Sequence, residues 1–587
     1  MIVSPGPDHK ASVMGIEFGL TLVALAFLFA WPRLGSTTFL RIERICNRLA
    51  RRRVLAVATV GVAQLLLRLA LLPLCPIPQP FTPDDFSFLL AADTFASGRL
   101  ANPTPAMWTH FETIHVSMQP TYMSMYFPAQ GLVLAAGKVL FGNPWFGLLC
   151  VNALMCAAIC WALQAWLPPG WALLGGFLAI LRLSLFSYWI NTYTGGAAIA
   201  ALGGALVLGA FPRLMRYVRI RDGLLLALGV VVLAISRPYE GLLLCLPVAF
   251  VLGRWILFGK NRPAPAILLR RAALPLAVLL AGAAWMADYD YRAFGNPLTL
   301  PYTVNRATYA VAPYWMWQAP RPEPFYRHKP MRDFYVKQEL RVVTLFHTVP
   351  GFLTQNLMKP VHAVLFFAGV ALFPPLIMLR RVLLDRRTRF LVLASLLLMA
   401  GMFIEIVLLP HYLAPFTVAF YAIGLQCMRH LRVWSPGGRP VGAAVVRALV
   451  VTCIAMAALR AWAEPLNLEL ANWPPGAWTA NWYGPGELGA PRARVLADLE
   501  RLPGKQLVIV RYSSDHNPVW EWVYNAADID SAKVIWARDM DNAANSELIR
   551  HYADRKVWLV QPDSQPVAVM PYPTPDSRAP SSSKVSK

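Results

Sequence analysis

Apolar residues along this chain come in long uninterrupted blocks, with the polar positions gathered between them. Segments at roughly 14–31, 54–74, 123–142, 145–166, 171–191, 194–212, 223–236, 240–257, 272–289, 361–379, 390–409, 412–428 and 444–462 mostly approach the ~20 residues that a bilayer-spanning helix needs. The pattern predicts an α-helical polytopic membrane protein. Past residue 490 it changes. Short β-rich runs at 506–510, 533–536 and 556–560 alternate with helix-like stretches at 492–502 and 545–552, which predicts a small parallel α/β layer. No glycine-rich phosphate loop lies between them, so this layer is not read as a nucleotide domain. The predicted organisation is a membrane domain over 1–462, with a first outer loop at 75–122 and a long one at 289–360. A linker over 463–489, the α/β domain over 490–570 and a frayed Pro/Ser-rich tail over 571–587 follow.

Composition agrees: 57% hydrophobic and 14% charged residues over 587 positions exclude an ordinary soluble domain. The net charge of +23 is mostly arginine, bunched at 33–53, 213–221, 254–271, 380–389 and 429–447. The positive-inside rule makes those stretches cytoplasmic, so topology and anionic-lipid contact explain the basic balance and no nucleic-acid module is seen. The first outer loop, the corner Ser236 to Gly241, the long loop, the corner Pro410 to Tyr412 and everything after about 463 then fall outside. Four crossings between Tyr122 and Arg213 would leave the basic loop at Arg213 on the wrong face. Segment 171–191, which carries Arg182, Ser184, Ser187, Trp189 and Asn191, is therefore predicted to be re-entrant, leaving about twelve spans with both termini outside. The first segment lacks a basic upstream flank and is read as a retained helix rather than a cleaved signal. The cysteines sit in or beside apolar helices and suggest neither a disulfide frame nor a zinc site.

Candidate chemistry crowds the predicted outer face. Asp84 and Asp85 follow the second span at the membrane lip, where paired carboxylates beside low-dielectric lipid resist joint ionisation and one can serve as a general base. Thr82, Pro83 and Asp85 equally fit N-cap, N1 and N3 of a helix. Phe86, Leu89, Leu90, Ala92 and Phe95 then recur at helical spacing, predicting an in-plane amphipathic helix. His110, Glu112 and His115 form a polar knot that suits an acceptor site, a metal or a solvent-facing loop. Arg237 at a helix end requires a partner, either Glu240 or a phosphate, which a guanidinium grips in a fork. Arg306, His328 and Lys329 add cations in the long loop, and Tyr302, Tyr309, Tyr314, Trp315 and Trp317 suit either sugar stacking or an interfacial belt. Glu405 and His411 make a last pair, an intramembrane acid beside an exit histidine.

The acid pair opening the first outer loop, the stretch Tyr122-Met123-Ser124-Met125-Tyr126-Phe127-Pro128-Ala129-Gln130-Gly131, the corner Ser236-Arg237-Pro238 and the exit His411-Tyr412-Leu413-Ala414-Pro415 together resemble the GT-C superfamily of integral-membrane glycosyltransferases. Protein O-mannosyltransferases and the lipid A aminoarabinose transferase are the nearest relatives by this pattern, which covers most of the membrane domain and is loose residue by residue. The resemblance implies transfer of a sugar from a polyprenyl-phosphate donor to a glycan, lipid or protein acceptor outside the plasma (inner) membrane. Asp84 matches the acid that deprotonates the acceptor, Asp85 its neighbour, and Arg237 a cation on the carrier phosphate. Beside it, the residues' own reading puts Arg306 with Arg237 on the donor phosphate and His110, Glu112, His115, Tyr302, Glu240 and His411 on the acceptor or sugar. The expected reaction is a single inverting displacement of a hexosyl or pentosyl group. A lipid-linked glycan transporter or flippase, or a glycan polymerase, is the alternative; a transporter calls for mid-membrane ionisable groups and a helical repeat. The cofactor is unknown: a divalent cation is compatible with these residues and not required by them. The C-terminal domain departs from the sugar-binding modules of the mannosyltransferases.

Overall fold

A computed structural model describes residues 13–259, 262–463, 466 and 489–573. Most of the expected linker and tail lies outside the described residues. Helices α1 (Val13–Ala30), α2 (Ser36–Arg51), α3 (Arg53–Ala70) and α4 (Pro83–Ala96) lead a mostly helical chain. Among the described residues, six helices are long and apolar enough to cross a membrane: α3, Pro144–Leu163, Ala197–Tyr217, Pro238–Phe258, Pro265–Phe294 and Val441–Ala461. A bent pair, Pro374–Leu384 and Arg389–Ile404, meets the same test together across a 109° break. The expected count of about twelve is larger because several apolar segments are interrupted. Segment 412–428, for instance, begins as the tight turn Pro410–Phe416, with Pro415 inside it, before the helix Thr417–Arg432.

Segment 171–191 is likewise broken, into the helix Pro169–Ala179, a π turn at Ile180–Ser184 and the short helix Tyr188–Asn191. Its irregular backbone is buried in protein, the condition under which such backbone is tolerated at membrane depth. Gln64 donates to the Ser184 carbonyl and Arg68 to Asn191 Oδ1. The buried Arg182 lies 3.2 Å from Glu17 of α1, which also accepts from Arg460 at 3.1 Å. One carboxylate between two guanidiniums ties the first helix, the π turn and the helix Val441–Ala461 together.

The C-terminal domain forms the sheet order β4-β3-β5-β6, with β3 (Lys505–Val510), β4 (Val534–Arg538), β5 (Arg555–Gln561) and β6 (Ala568–Pro571). β3 is parallel to β4 and β5, and β6 adds an antiparallel edge. Val116–Ser117 (β1) and Met123–Ser124 (β2) form a small antiparallel pair in the first outer loop. Leu90, Phe111, Val116, Met118 and Tyr122 of that loop share one apolar cluster with Leu507, Ile509 and Ile535 of the sheet.

Helix α4 therefore does not lie free in the bilayer surface as an amphipathic strip. Phe86, Leu90, Ala91 and Ala92 are buried, and Phe86 stacks on Tyr524 of the C-terminal domain at 4.7 Å, with Arg492 above its ring. Helical spacing identified the apolar residues of α4, but a second covering surface supplied from residues some 400 positions away leaves no trace in that spacing.

The lock between the two parts is built on an ion pair within the C-terminal domain, from which hydrogen bonds reach the first outer loop. Arg538 and Glu521, each 2% exposed, lie 2.5 Å apart; Glu521 also accepts from Thr113, and Arg538 donates to the Glu112 carbonyl. Replacing Arg538 by methionine strands a buried carboxylate, which costs about 3–5 kcal/mol. The expected result is a lower thermal unfolding midpoint and faster proteolysis within residues 490–570, read by a melting curve and limited digestion; an unchanged midpoint refutes the lock.

Candidate active site

Helices at the expected outer face repeatedly begin at proline. Pro83, Pro128, Pro238, Pro301 and Pro410 each open one, where the fixed φ suits the first turn and the missing N–H is not needed. Their side chains meet around one cavity of about 310 Å³, bordered by Tyr126, Gly195, Arg237, Glu240, Tyr302 and Tyr412 among others. Helix N-termini gathered in this way favour negative charge.

Asp84, at N2 of α4 and 24% exposed, stands one hydrogen bond behind the cavity wall. Its Oδ1 lies 2.5 Å from His115 Nδ1 and accepts from the Tyr126 hydroxyl at 2.5 Å, while Oδ2 accepts from Thr194 Oγ1 at 3.1 Å. Burial pushes this carboxyl up, but the His115 charge, hydrogen bonds from His115 and Tyr126, and the more distant His411 outweigh it and hold the group down to about 2. His115 is held in the left-handed region at φ 63, unusual for a side-chain-bearing residue, and its carbonyl accepts from Ser87 Oγ at 2.7 Å and the Met125 N–H at 3.1 Å. Backbone held this way by its surroundings fixes the imidazole against Asp84 before any ligand arrives.

Asp85 is placed differently. Its Oδ2 accepts from the Phe81 and Thr82 N–H groups, Thr82 Oγ1 accepts from the Asp85 N–H, and Oδ1 accepts from the Tyr193 N–H at 3.0 Å. This is a capping box, and it also ties α4 to the loop before Ala197–Tyr217. The capping expectation holds at Asp85, whereas the carboxyl raised by burial is this capping acid and not Asp84, which its partners hold down. Burial pushes the Asp85 carboxyl up to about 6 against those hydrogen bonds. The sign follows: a carboxyl raised in the fold contributes stability that is fully present below its ordinary value near 4 and is lost as pH rises through 6. Asp85→Asn removes the titration but replaces one accepting oxygen with a donor, so its stability relative to the parent is expected to rise by about 3 kcal/mol between pH 4 and pH 7, about two pKa units' worth, whatever the offset at pH 4. Melting curves at the two pH values check this, and a difference that does not change between them refutes it.

Arg237 caps the helix Pro238–Phe258 and borders the cavity. It donates to the Gly195 carbonyl at 2.6 Å, lies over the Tyr412 ring at 4.7 Å, and is 3.9 Å from Glu240, too far for a hydrogen bond. The guanidinium thus keeps donors for a cavity ligand. Thr194 and Gly195, adjacent in the chain, hold the carboxylate and the cation respectively. Gly195 has φ 83, and a Cβ there would meet the His411 ring at 3.0 Å, so glycine is required on both counts. His411 itself pairs with the Tyr188 hydroxyl at 2.9 Å.

The remaining sequence candidates separate into two groups. Tyr302, Tyr314, Trp315, Glu240 and Glu405 border the cavity, with Tyr302 and Tyr314 stacked at 5.2 Å. Arg306 sits behind them, paired with Glu339 and lying over the Tyr314 ring. His110 meets the Arg538 carbonyl, Glu112 lies against Tyr309, Arg327 and His328, and Lys329 pairs with Asp333 at the C-terminal domain boundary. His110, Glu112 and His115 therefore do not converge, and among the described residues no three His, Cys, Asp or Glu side chains group as metal ligands. Thr194 and Gly195 stand at the head of the apolar segment 194–212, whose pattern masks them; the pair Gly195-Gly196 is the one signal of them in the sequence.

The cavity thus lies at the ends of several apolar helices, walled by aromatic rings, with a guanidinium on its border and a fixed carboxylate one hydrogen bond behind it. No family model and no curated protein matches the chain. Among solved structures it is similar to ArnT from Cupriavidus metallidurans bound to undecaprenyl phosphate, at 13% identity and a TM-score of 0.48, over 86% of this chain and 92% of that one. It is also similar to the Archaeoglobus fulgidus oligosaccharyltransferase tethered to an acceptor peptide containing the NVT sequon, at 12% identity and a TM-score of 0.46, over 86% and 68% respectively.

Proposed function

We propose that this chain is a membrane glycosyltransferase that moves a hexosyl or pentosyl group from a polyprenyl-phosphate donor to an acceptor hydroxyl on the extracytoplasmic side, by one inverting displacement. The observation that carries the reading is the pairing through Thr194 and Gly195, which sets a base and a phosphate-binding cation on neighbouring peptide units beside one cavity. The about twelve crossings and the outward orientation of this face belong to the same proposal.

The acceptor oxygen forms the bond to the anomeric carbon as the bond from that carbon to the phosphate oxygen breaks, and the electron pair departs with the polyprenyl phosphate. Arg237 steadies the charge that develops on that phosphate. The proton goes to Asp84 Oδ2, whose second lone pair is not taken by Thr194. A carboxylate held near 2 suffices, because the attacking oxygen becomes strongly acidic once its bond to carbon is forming. Tyr302, Tyr314 and Trp315 supply ring faces for the sugar. Purified protein incubated with polyprenyl-phosphate-linked sugars is expected to release polyprenyl phosphate in step with glycosylated acceptor. Movement of intact donor across proteoliposomes without release of carrier phosphate overturns the reading in favour of a transporter.

A further inference from the structure

At the arginine-rich face, opposite the candidate active site in the charge-based topology, helix α2 lies across the start of the helix Pro169–Ala179. The approach is close: a Cβ on Gly170 would stand 2.3 Å from Asn47 Oδ1. Phe39, Ile42 and Cys46 recur at helical spacing on one side of α2, and Arg44, Arg48 and Arg51 on the other, so the helix has the make-up of an interfacial one. Beneath it opens a cavity of about 880 Å³, bordered by those arginines at one end and by Phe177, Val450 and Ile454 at the other. Ile454 and Val451 are about half-exposed, so the apolar end opens toward the surrounding lipid.

The charge at the basic end is uncompensated. Glu43 is the acid bordering the cavity, and Arg432 at 2.8 Å and Arg447 at 2.9 Å already bracket it. Arg44, Arg48 and Arg51 have no acidic partner among the described residues, and they fall within two turns on one stripe of the helix. A cluster of cations and an apolar wall bordering one cavity match a molecule that is anionic at one end and hydrocarbon at the other. Basic pockets between transmembrane helices on the cytoplasmic side select such headgroups.

We propose that this cavity is a binding site for an anionic phospholipid of the cytoplasmic leaflet, its headgroup phosphate on Arg44, Arg48 and Arg51 and an acyl chain along Phe177, Val450 and Ile454. The site is independent of the proposed transfer reaction and uses none of its residues.

The test uses the full chain in detergent micelles. Cardiolipin is expected to raise the unfolding midpoint and to appear as a bound adduct by native mass spectrometry, whereas phosphatidylcholine of the same chain length and inorganic phosphate do neither. Arg44→Gln, Arg48→Gln and Arg51→Gln together are expected to weaken cardiolipin binding by about a hundredfold, on the scale of the attraction of three basic groups to an anionic headgroup. Ile454→Trp, which leaves the cations in place and narrows the apolar end, is expected to weaken it as well and serves if the triple variant does not fold. Equal binding of phosphatidylcholine, undiminished cardiolipin binding in either variant, or a shift produced by phosphate alone overturns the proposal. So does a lipid-independent dimer formed through this face.

Discussion

Asp84→Asn is expected to lower glycosyl transfer by about 10²–10⁴-fold, the usual contribution of a positioned general base, with the protein still folded and its unfolding midpoint at neutral pH lowered modestly, because the lost charge is also stabilised by His115. The amide keeps the size of the carboxylate, and its oxygen still accepts from Tyr126 or His115, so the loop beside α4 stays in place. What it loses is the ability to take a proton from the acceptor hydroxyl. Tyr126→Phe provides the graded comparison. It removes one of the hydrogen bonds to Asp84 and leaves the carboxylate, so about 10-fold to 100-fold is expected, the scale of a hydrogen bond to a charged group. An active, well-folded Asp84→Asn protein sinks the base assignment. Equal losses in both variants show instead that the geometry of the dyad, and not proton acceptance, is what matters.

The second large effect falls on Arg237. Arg237→Ala removes the cation that borders the cavity, and about 10²–10³-fold is expected in turnover, as for loss of one donor to a developing anion. Inhibition by added polyprenyl phosphate is expected to fall in parallel, since that product presents the same phosphate. Arg237→Lys keeps the charge but loses the fork that reaches the Gly195 carbonyl and the phosphate together, so an intermediate loss is expected. Because Glu240 is left without its neighbouring cation in the alanine variant, the lysine variant also separates loss of phosphate binding from disturbance of the buried acid. Unchanged donor kinetics and unchanged product inhibition in Arg237→Ala remove the phosphate role.

Much of this was legible in the chain itself. Blocks of apolar residues sufficient to cross a bilayer, arginine bunched into alternate connections, and a change of period near residue 490 need no tertiary information, because each is a local property of side chains and the spacing of their neighbours. Thr82, Pro83 and Asp85 likewise announced a capped helix start, and the capping box is there. The tertiary structure decided the rest. It separated the two acids, turning Asp84 toward His115 and Tyr126 and Asp85 back into the turn at Thr82 and across to Tyr193. It drew His110 and Glu112 to the C-terminal domain and left His115 with Asp84, though the three lie within six residues. It brought Thr194 and Gly195 between Asp84 and Arg237, residues separated by more than 150 positions. Local sequence specifies which way a helix begins and which residues avoid water. Which distant helix starts meet at one cavity depends on how all the apolar faces pack at once, and no single segment carries that information.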